Sequence, residues 1–379
     1  MPSPQPPKRA LVIVLDSVGC GNAPDAADFG DHGANTLGHL FERIPGLNLP
    51  HLASLGLDQV IASPLPAAPH HPAAQSTRLT SHAAGKDTTS GHWELMGCVP
   101  KEPFAFFQSF PATFIRELED RASVTFIGNF AASGTEILKQ LGEEHTATGN
   151  PILYTSADSV LQIAAHEETF GLQRLLDLCQ TARQLLDQQH IRIGRVIARP
   201  FIGTSAATFK RTGNRHDYSL KPGETALNRL QSSGTTTIGV GKISDIFAGS
   251  GISESHPTQS NADGMATIDR LWSQPRTDNH LIFANLVDFD SLYGHRRDPA
   301  GYADCLRQFD AWLGTFLPNV QPADLLLITA DHGNDPYHTG TDHTREQVPL
   351  LALNLPTPLT PGPFSTLARL TESHFSQPG

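Results

Sequence analysis

Positive charge is in short supply: 27 Lys and Arg stand against 38 Asp and Glu, a formal net charge of −11. That balance argues against a broad nucleic-acid footprint, which needs basic stripes. It leaves room for an anionic substrate, because a few arginines or bound cations reverse the field locally. Cysteine is scarcer still. Cys20, Cys98, Cys179 and Cys305 lie far apart and form no CxxC pair, so a disulfide framework is not expected and reduced thiols in the cytoplasm are. Apolar runs of membrane-spanning length are missing, and Asp16 ends the run that begins at Ala10, too soon for a signal peptide. The expected partners are therefore small molecules, with no nucleic acid, no membrane and a monomeric chain.

The 379 residues suffice for two domains with a sizeable core. Residues 1–9, with four prolines, read as a flexible tail. Short branched apolar runs at 10–15, 281–289, 324–330 and 349–355, and a more polar one at 235–241, predict strands buried on both faces. Between them, Tyr302, Leu306, Phe309, Leu313 and Phe316 recur at helical spacing across 300–317. Alternating strands and helices predict an α/β fold with a mostly parallel sheet flanked by helices. Residues 101–216 read differently, with a helix candidate at 167–190 and short strands in "SVTFIG", "PILYTS" and "RVIARPFIG". This predicts an α+β cap inserted into a core made of 10–100 and 217–379.

Acidic residues stand where the apolar strands end. Asp16 follows "ALVIVL", Asp288 and Asp290 close "LIFANLVDFD", and Asp331 and His332 follow "LLLITA". Ligands of open α/β sheets bind beyond the carboxyl ends of the strands, so these side chains should converge. His295, His338 and His343 follow within the same segments. One such Asp is ordinarily a cap or turn residue. Three strand ends delivering Asp, two with His nearby, predict a metal centre of carboxylate and imidazole ligands suited to Mn²⁺, Zn²⁺ or Fe. The span "AGKDTTSGHWE" offers hydroxyls at Thr88, Thr89 and Ser90, with His92 and Glu94 close by. A threonine hydroxyl on a metal loses its proton near neutral pH, and a second ion neutralises a phosphoryl oxygen during in-line attack.

The blocks "VLDSVGCGNAPDA", "GKDTTSGHWELMG", "YTSADSVLQIAAHEE", "RVIARPFIG", "RHDYSLKP", "VGKISDIFAGSGI", "NLVDFDSLYGHRRDPAGYA" and "TADHGNDP" with "GTDHTREQVPLL" closely resemble the phosphopentomutase family of the alkaline phosphatase superfamily. The resemblance runs from about residue 10 to residue 355. It implies an alkaline-phosphatase-like core with an inserted cap, and two Mn²⁺ ions. One would be held by Asp16, Thr88, Asp331 and His332, the other by Asp290, His295 and His343. Thr88 matches the phosphoryl-carrying nucleophile, and Thr89 and Ser90 fall to helix-start hydrogen bonding. His92, Glu94, Asp288 and His338 fall to supporting roles. Asp158, Arg199, Arg215 and Lys242 would bind the sugar and its distal phosphate. The implied activity interconverts (deoxy)ribose 1-phosphate and 5-phosphate through phosphothreonine, primed by glucose 1,6-bisphosphate or ribose 1,5-bisphosphate. A phosphatase or phosphodiesterase on the same metals is the alternative. Cys20 departs from the family pattern, and its closeness in sequence to Asp16 suggests an oxidation-sensitive thiol near the metals.

Overall fold

The computed structural model describes residues 7–61, 69–156 and 159–376. Most of the proline-rich tail, and Asp158, lie outside the described residues. Lys8 and Arg9, read above as tail, are tied down. The Lys8 amide donates to Asn279 Oδ1 at 2.8 Å, and Arg9 opens the first strand with its guanidinium on Asp324 at 2.7 Å. The chain divides into two compact units, Met1–Glu102 with Pro222–Gly379, and Pro103–Lys221.

The first unit is built on an eight-stranded sheet. Glu254–His256, Thr236–Val240, His280–Leu286, Arg9–Leu15 and Leu325–Thr329 lie side by side in that order, all parallel. Arg9–Leu15, His280–Leu286 and Leu325–Thr329 are buried almost throughout, which is why they read as unbroken apolar runs. Leu15 pairs with Leu286 and Val14 with Thr329, so the carboxyl ends of three central strands come level at one edge. Beyond them the direction reverses. Val348–Leu353 runs antiparallel to Leu325–Thr329 and to Ala74–Thr80, whose polar sequence AQSTRLT gave no strand signal. The helix Pro299–Phe316 starts on an Asp298 cap, whose side chain accepts from the Gly301 amide. It buries Tyr302, Leu306, Phe309, Leu313 and Phe316, the stripe read from its spacing.

The second unit is a six-stranded mixed sheet between two helical layers. Ile127–Ala131, Ile152–Thr155, Val160–His166 and Arg195–Ile202 form its body, and Lys210–Arg211 and His216–Ser219 both pair with Arg195–Ile202. Leu153, Leu161, Ile163 and Val196 face the helices Ala112–Ala122 and Leu172–Gln188. Ile152, Tyr154, Ala164 and Phe201 face the helix Glu136–Thr148. Two expectations shift here. "SVTFIG" forms strand only from Ile127, because Ser123 sits left-handed (φ 51°) as the C-cap of the preceding helix. The helix expected over 167–190 opens as a π-helical turn, Glu167–Gly171, and becomes α-helical only at Leu172, after Gly171 at φ 97°.

Candidate metal centre

Beyond the level strand ends, Asp16, Asp331 and His332 bring one ligand atom each to within 4.8 Å of one another, and all three are buried. His332 Nε2 stands 3.5 Å from Asp16 Oδ1 and 3.4 Å from Asp331 Oδ2. A carbonyl only accepts, so the hydrogen bond between His332 Nδ1 and Gly333 O (3.0 Å) puts a proton on Nδ1 and turns Nε2, the atom a cation would use, toward the carboxylates. Ser17 takes a left-handed φ of 74°, which turns its amide to donate to Asp331 Oδ1 at 3.0 Å. This is local strain held at a site. Asn285 Nδ2 donates to Asp16 Oδ2 at 3.1 Å.

Thr88 enters this cluster from the first residue of the helix Thr88–Leu95, its Oγ1 3.1 Å from His332 Nε2. Asp87 caps that helix, accepting from the Ser90 amide at 3.0 Å and the Ser90 hydroxyl at 2.7 Å. Ser90 is thereby occupied in the cap. Fully buried His92 donates from Nδ1 to Thr88 O at 2.9 Å and lies 3.1 Å from Asp331 Oδ2, tying the helix start to the ligand strand. Gly91 permits this approach, since a Cβ there would meet Asp331 O at 2.2 Å.

Asp290, His295 and His343 form the second cluster. His295 Nε2 lies 3.2 Å from Asp290 Oδ2 and His343 Nε2 3.5 Å from Asp290 Oδ1. His295 Nδ1 donates to Thr341 O at 2.6 Å, so its Nε2 too offers a lone pair. The clusters abut, the rings of His332 and His343 being 4.0 Å apart.

Donors that suit a cation should be unsatisfied without one, and these are. Asp16 Oδ1, Asp331 Oδ2 and His343 Nε2 are buried without a hydrogen-bond partner, a rare condition in folded proteins. Spacings of 3.4–3.5 Å match the edge of a coordination tetrahedron with bonds of about 2.1 Å. The residues fit a pair of divalent cations.

The electrostatics of the site carry the same demand for positive charge. Burial and the neighbouring Asp331 and Asp290 charges raise Asp16 to about 7. Burial would lower His332, but Asp331, Asp16 and Asp290 outweigh it and hold it at about 9. Burial would raise Asp290 too, yet the adjacent imidazoles of His295, His343 and His332 outweigh it and keep it well below the carboxylate range. His343 is lowered by burial and by His332.

The remaining predicted residues lie outside these two clusters. Glu94 accepts from Ser81 Oγ and the amides of His82 and Ala83, shaping the loop before the helix. Asp288 accepts from the Asn261 amide at 2.7 Å. His338 lies 3.8 Å from Asp31 Oδ1. Lys242 is in the first unit, just before the short helix Ile243–Ile246. Arg199 and Arg215 are in the second, Arg199 donating to Gln162 Oε1 at 3.1 Å and Arg215 to Asp217 at 2.7 and 2.5 Å. The expectation for Cys20 needs correcting. Its thiol is buried near the charges of Arg78 and Glu346, and burial pushes it far above the ordinary thiol range, so it has no thiolate to oxidise. Sequence reasoning missed Ser17, Asn285, Asn334 and Arg297. Asn334 donates to Asp290 Oδ1 at 2.7 Å. The Arg297 guanidinium holds Asn334 Oδ1 and the carbonyls of Gly294 (2.9 Å), Gly340 (2.5 Å) and Asp342 (3.0 Å). The GND following Asp331-His332 was the available signal for Asn334.

A sheet delivering paired carboxylate–imidazole clusters beside a helix-borne hydroxyl defines a class, and residues 8–357 match the family model of the Metalloenzyme superfamily. The chain belongs to that superfamily. It is 53% identical over 346 residues to a phosphopentomutase of Syntrophotalea carbinolica, covering 91% of this chain and 87% of the relative. It is 52% identical over 357 residues to one of Symbiobacterium thermophilum, covering 94% and 90%. Within the superfamily the chain belongs to the phosphopentomutase family, and it is an enzyme of the phosphomutase type. A solved protein of Pyrococcus horikoshii shares the α/β fold, with a TM-score of 0.50 at 13% identity over 98% of both chains. Among the described residues, no helix is long and apolar enough to cross a membrane.

Proposed function

We propose that the chain interconverts ribose 1-phosphate, or its 2-deoxy form, with the corresponding 5-phosphate through phosphorylated Thr88. The observation that carries this reading is Thr88 itself. Its hydroxyl stands 3.1 Å from His332 Nε2 beside Asp16 and Asp331, on the first residue of a helix where unpaired amides favour a phosphoryl group. The incoming sugar phosphate attacks phospho-Thr88 with its free hydroxyl. An O–P bond forms to the sugar as the Thr88 Oγ1–P bond breaks, and the proton lost by the sugar is regained by Thr88. The bisphosphate then presents its other phosphate, Thr88 Oγ1 takes it, and the isomer leaves. A sugar bisphosphate, glucose 1,6-bisphosphate or ribose 1,5-bisphosphate, supplies the first phosphoryl group. Two Mn²⁺ ions, held by Asp16, Thr88, Asp331 and His332 and by Asp290, His295 and His343, would supply the charge that lowers the hydroxyl pKa and neutralises the transferring oxygens. His92 and Asp87 hold the helix start in place. Asp158, Arg199, Arg215 and Lys242 bind the sugar and its non-reacting phosphate. Water must be kept from phospho-Thr88.

The test is ³¹P NMR of the Mn²⁺-loaded chain with ribose 1-phosphate and a trace of glucose 1,6-bisphosphate. Ribose 5-phosphate without inorganic phosphate is expected. Inorganic phosphate as the main product would replace the mutase reading with that of a hydrolase.

A further inference from the structure

Glu346 is 1% exposed, and among the described residues no cation pairs with it. Four donors meet its carboxylate instead. Oε2 accepts from the amides of Gly21 at 3.1 Å and Thr36 at 2.9 Å. Oε1 accepts from the hydroxyls of Thr36 and Thr344, both at 2.7 Å. Each hydroxyl, its proton directed at the carboxylate, accepts in turn from a backbone amide: Thr36 Oγ1 from Asn334 at 3.2 Å and Thr344 Oγ1 from Asp335 at 3.1 Å. An ionised carboxylate suits all four donors, whereas a carboxamide would turn N–H groups toward two of them. Space is kept for it on both sides. A Cβ on Gly19 would lie 2.4 Å from Glu346 Oε2, and one on Gly333 2.3 Å from Oε1.

These contacts fall on the loops that carry the metal ligands. Gly19 and Gly21 follow Asp16 out of the first strand, and Gly333, Asn334 and Asp335 follow Asp331 and His332. The Asn334 amide also donates to Ser17 O at 3.1 Å, which stitches the two loops together. Gly333 and Thr344 exchange backbone hydrogen bonds of 3.1 and 2.8 Å, and Gly333 O is the acceptor that orients His332. Asn334 Nδ2 donates to Asp290 Oδ1 at 2.7 Å, and Thr344 directly follows His343. One carboxylate thus reaches the first cluster through the loops after Asp16 and His332, and the second through Asn334 and Thr344.

We infer that Glu346 is a positioning residue shared by both metal clusters. Its charge sets the direction of two threonine hydroxyls, and these hold the loops so that the ligands face two cations at once. This rests on the two-cation reading of the site.

The experiment titrates Mn²⁺ into the full, metal-free chain in competition with a chromophoric chelator, well below Tm. Glu346→Gln, Thr344→Val and Thr344→Ser are compared with the unaltered protein. Glu346→Gln keeps the shape and removes the charge, and should weaken binding of both ions by roughly 10- to 100-fold, as for other groups that orient metal ligands. Thr344→Val removes one hydroxyl relay and should cost about 10-fold. Thr344→Ser keeps the hydroxyl and should recover most of that loss. Circular dichroism checks the fold, and thermal unfolding of the metal-free forms gives the structural cost separately. A lower Tm with both affinities intact would make Glu346 a structural residue and overturn the inference. A loss confined to one ion, or Thr344→Ser as weak as Thr344→Val, would overturn it too. If Glu346→Gln does not fold, the Thr344 pair decides. Fewer than two Mn²⁺ bound per unaltered chain would instead overturn the two-cation reading, and this inference with it.

Discussion

The two ligand clusters abut yet differ in how they are made. Asp16, Asp331 and His332 issue from adjacent parallel strands and are buried. Their support joins local backbone, the Ser17 amide and the Gly333 carbonyl, to the buried side chains of Asn285 and His92. The second cluster hangs on irregular chain. Asp290 lies in the π-helical turn Phe289–Gly294, His295 follows it with its side chain 40% exposed, and His343 sits in a loop held from outside by Arg297. A sheet edge fixes ligands through register. A loop needs separate hydrogen bonds to do the same, and it can yield. The first cluster should therefore be intolerant of change, and the second graded.

Thr88→Ala gives the sharpest expected break. Removal of the proposed nucleophile should lower turnover at least about 10³-fold and abolish ³²P incorporation from a labelled sugar bisphosphate. Full turnover in that variant would refute the Thr88 assignment. Asp331→Asn removes charge from the rigid cluster and should cost roughly 10³-fold. His295→Gln, at the open cluster, should cost less, on the order of 10²-fold, and recover in part with excess Mn²⁺. Equal losses that excess metal does not relieve would end the distinction between rigid and yielding clusters.

The support of the second cluster comes next in size. Arg297 touches no expected ligand directly, but it binds the Gly340 and Asp342 carbonyls and Asn334, the donor to Asp290. Arg297→Met should weaken binding of the looser metal about 10-fold, read by competition with a chromophoric chelator, and leave the tighter one unchanged. An equal fall for both ions would mean that the clusters act as one unit.

How much of this was legible follows the same divide. Asp16, Asp290 and Asp331 could be read because each ends an apolar run in a parallel sheet, where local sequence sets both strand and edge. Asn285 and Asn334 could not. Each is an ordinary polar residue until the fold brings it to a carboxylate 269 or 44 positions away. Likewise the apolar run at 349–355 marked a strand but not its direction, since burial on both faces erases the alternation that would mark an antiparallel edge.

Metal removal should show the charge imbalance as a pH effect of a few degrees in Tm. In the folded, metal-free chain His332 is raised from 6.5 to about 9, so its stabilisation is full below pH 6.5 and lost as pH rises through 9. Raised His295 has the same sign. Asp16, raised from 3.8 to about 7, contributes fully only below pH 3.8 and nothing above 7. Lowered Asp290 and Asp331 contribute above pH 3.8 and are constant through neutrality, while lowered His343 costs stability only below 6.5. Between pH 7 and 9 the chelator-treated protein should therefore lose Tm, and Mn²⁺ should restore more at the upper end. A metal-free Tm that is flat or rising over that window would contradict this charge assignment.

The smallest effect concerns Cys20, four residues after Asp16 in sequence and on the same turn out of the first strand. Proximity along the chain suggested a thiol exposed to metal-driven oxidation. The fold turns it inward instead: it is 2% exposed, and its amide donates to Gln347 O at 2.8 Å. A thiol without solvent or thiolate character is slow to react with any oxidant. Cys20→Ala should therefore leave turnover within about 2-fold and peroxide inactivation unchanged, with Tm lower by the few degrees that a small buried cavity costs. Protection from peroxide in Cys20→Ala would show that the turn after Asp16 opens in solution, and that the first cluster is less rigid than its burial implies.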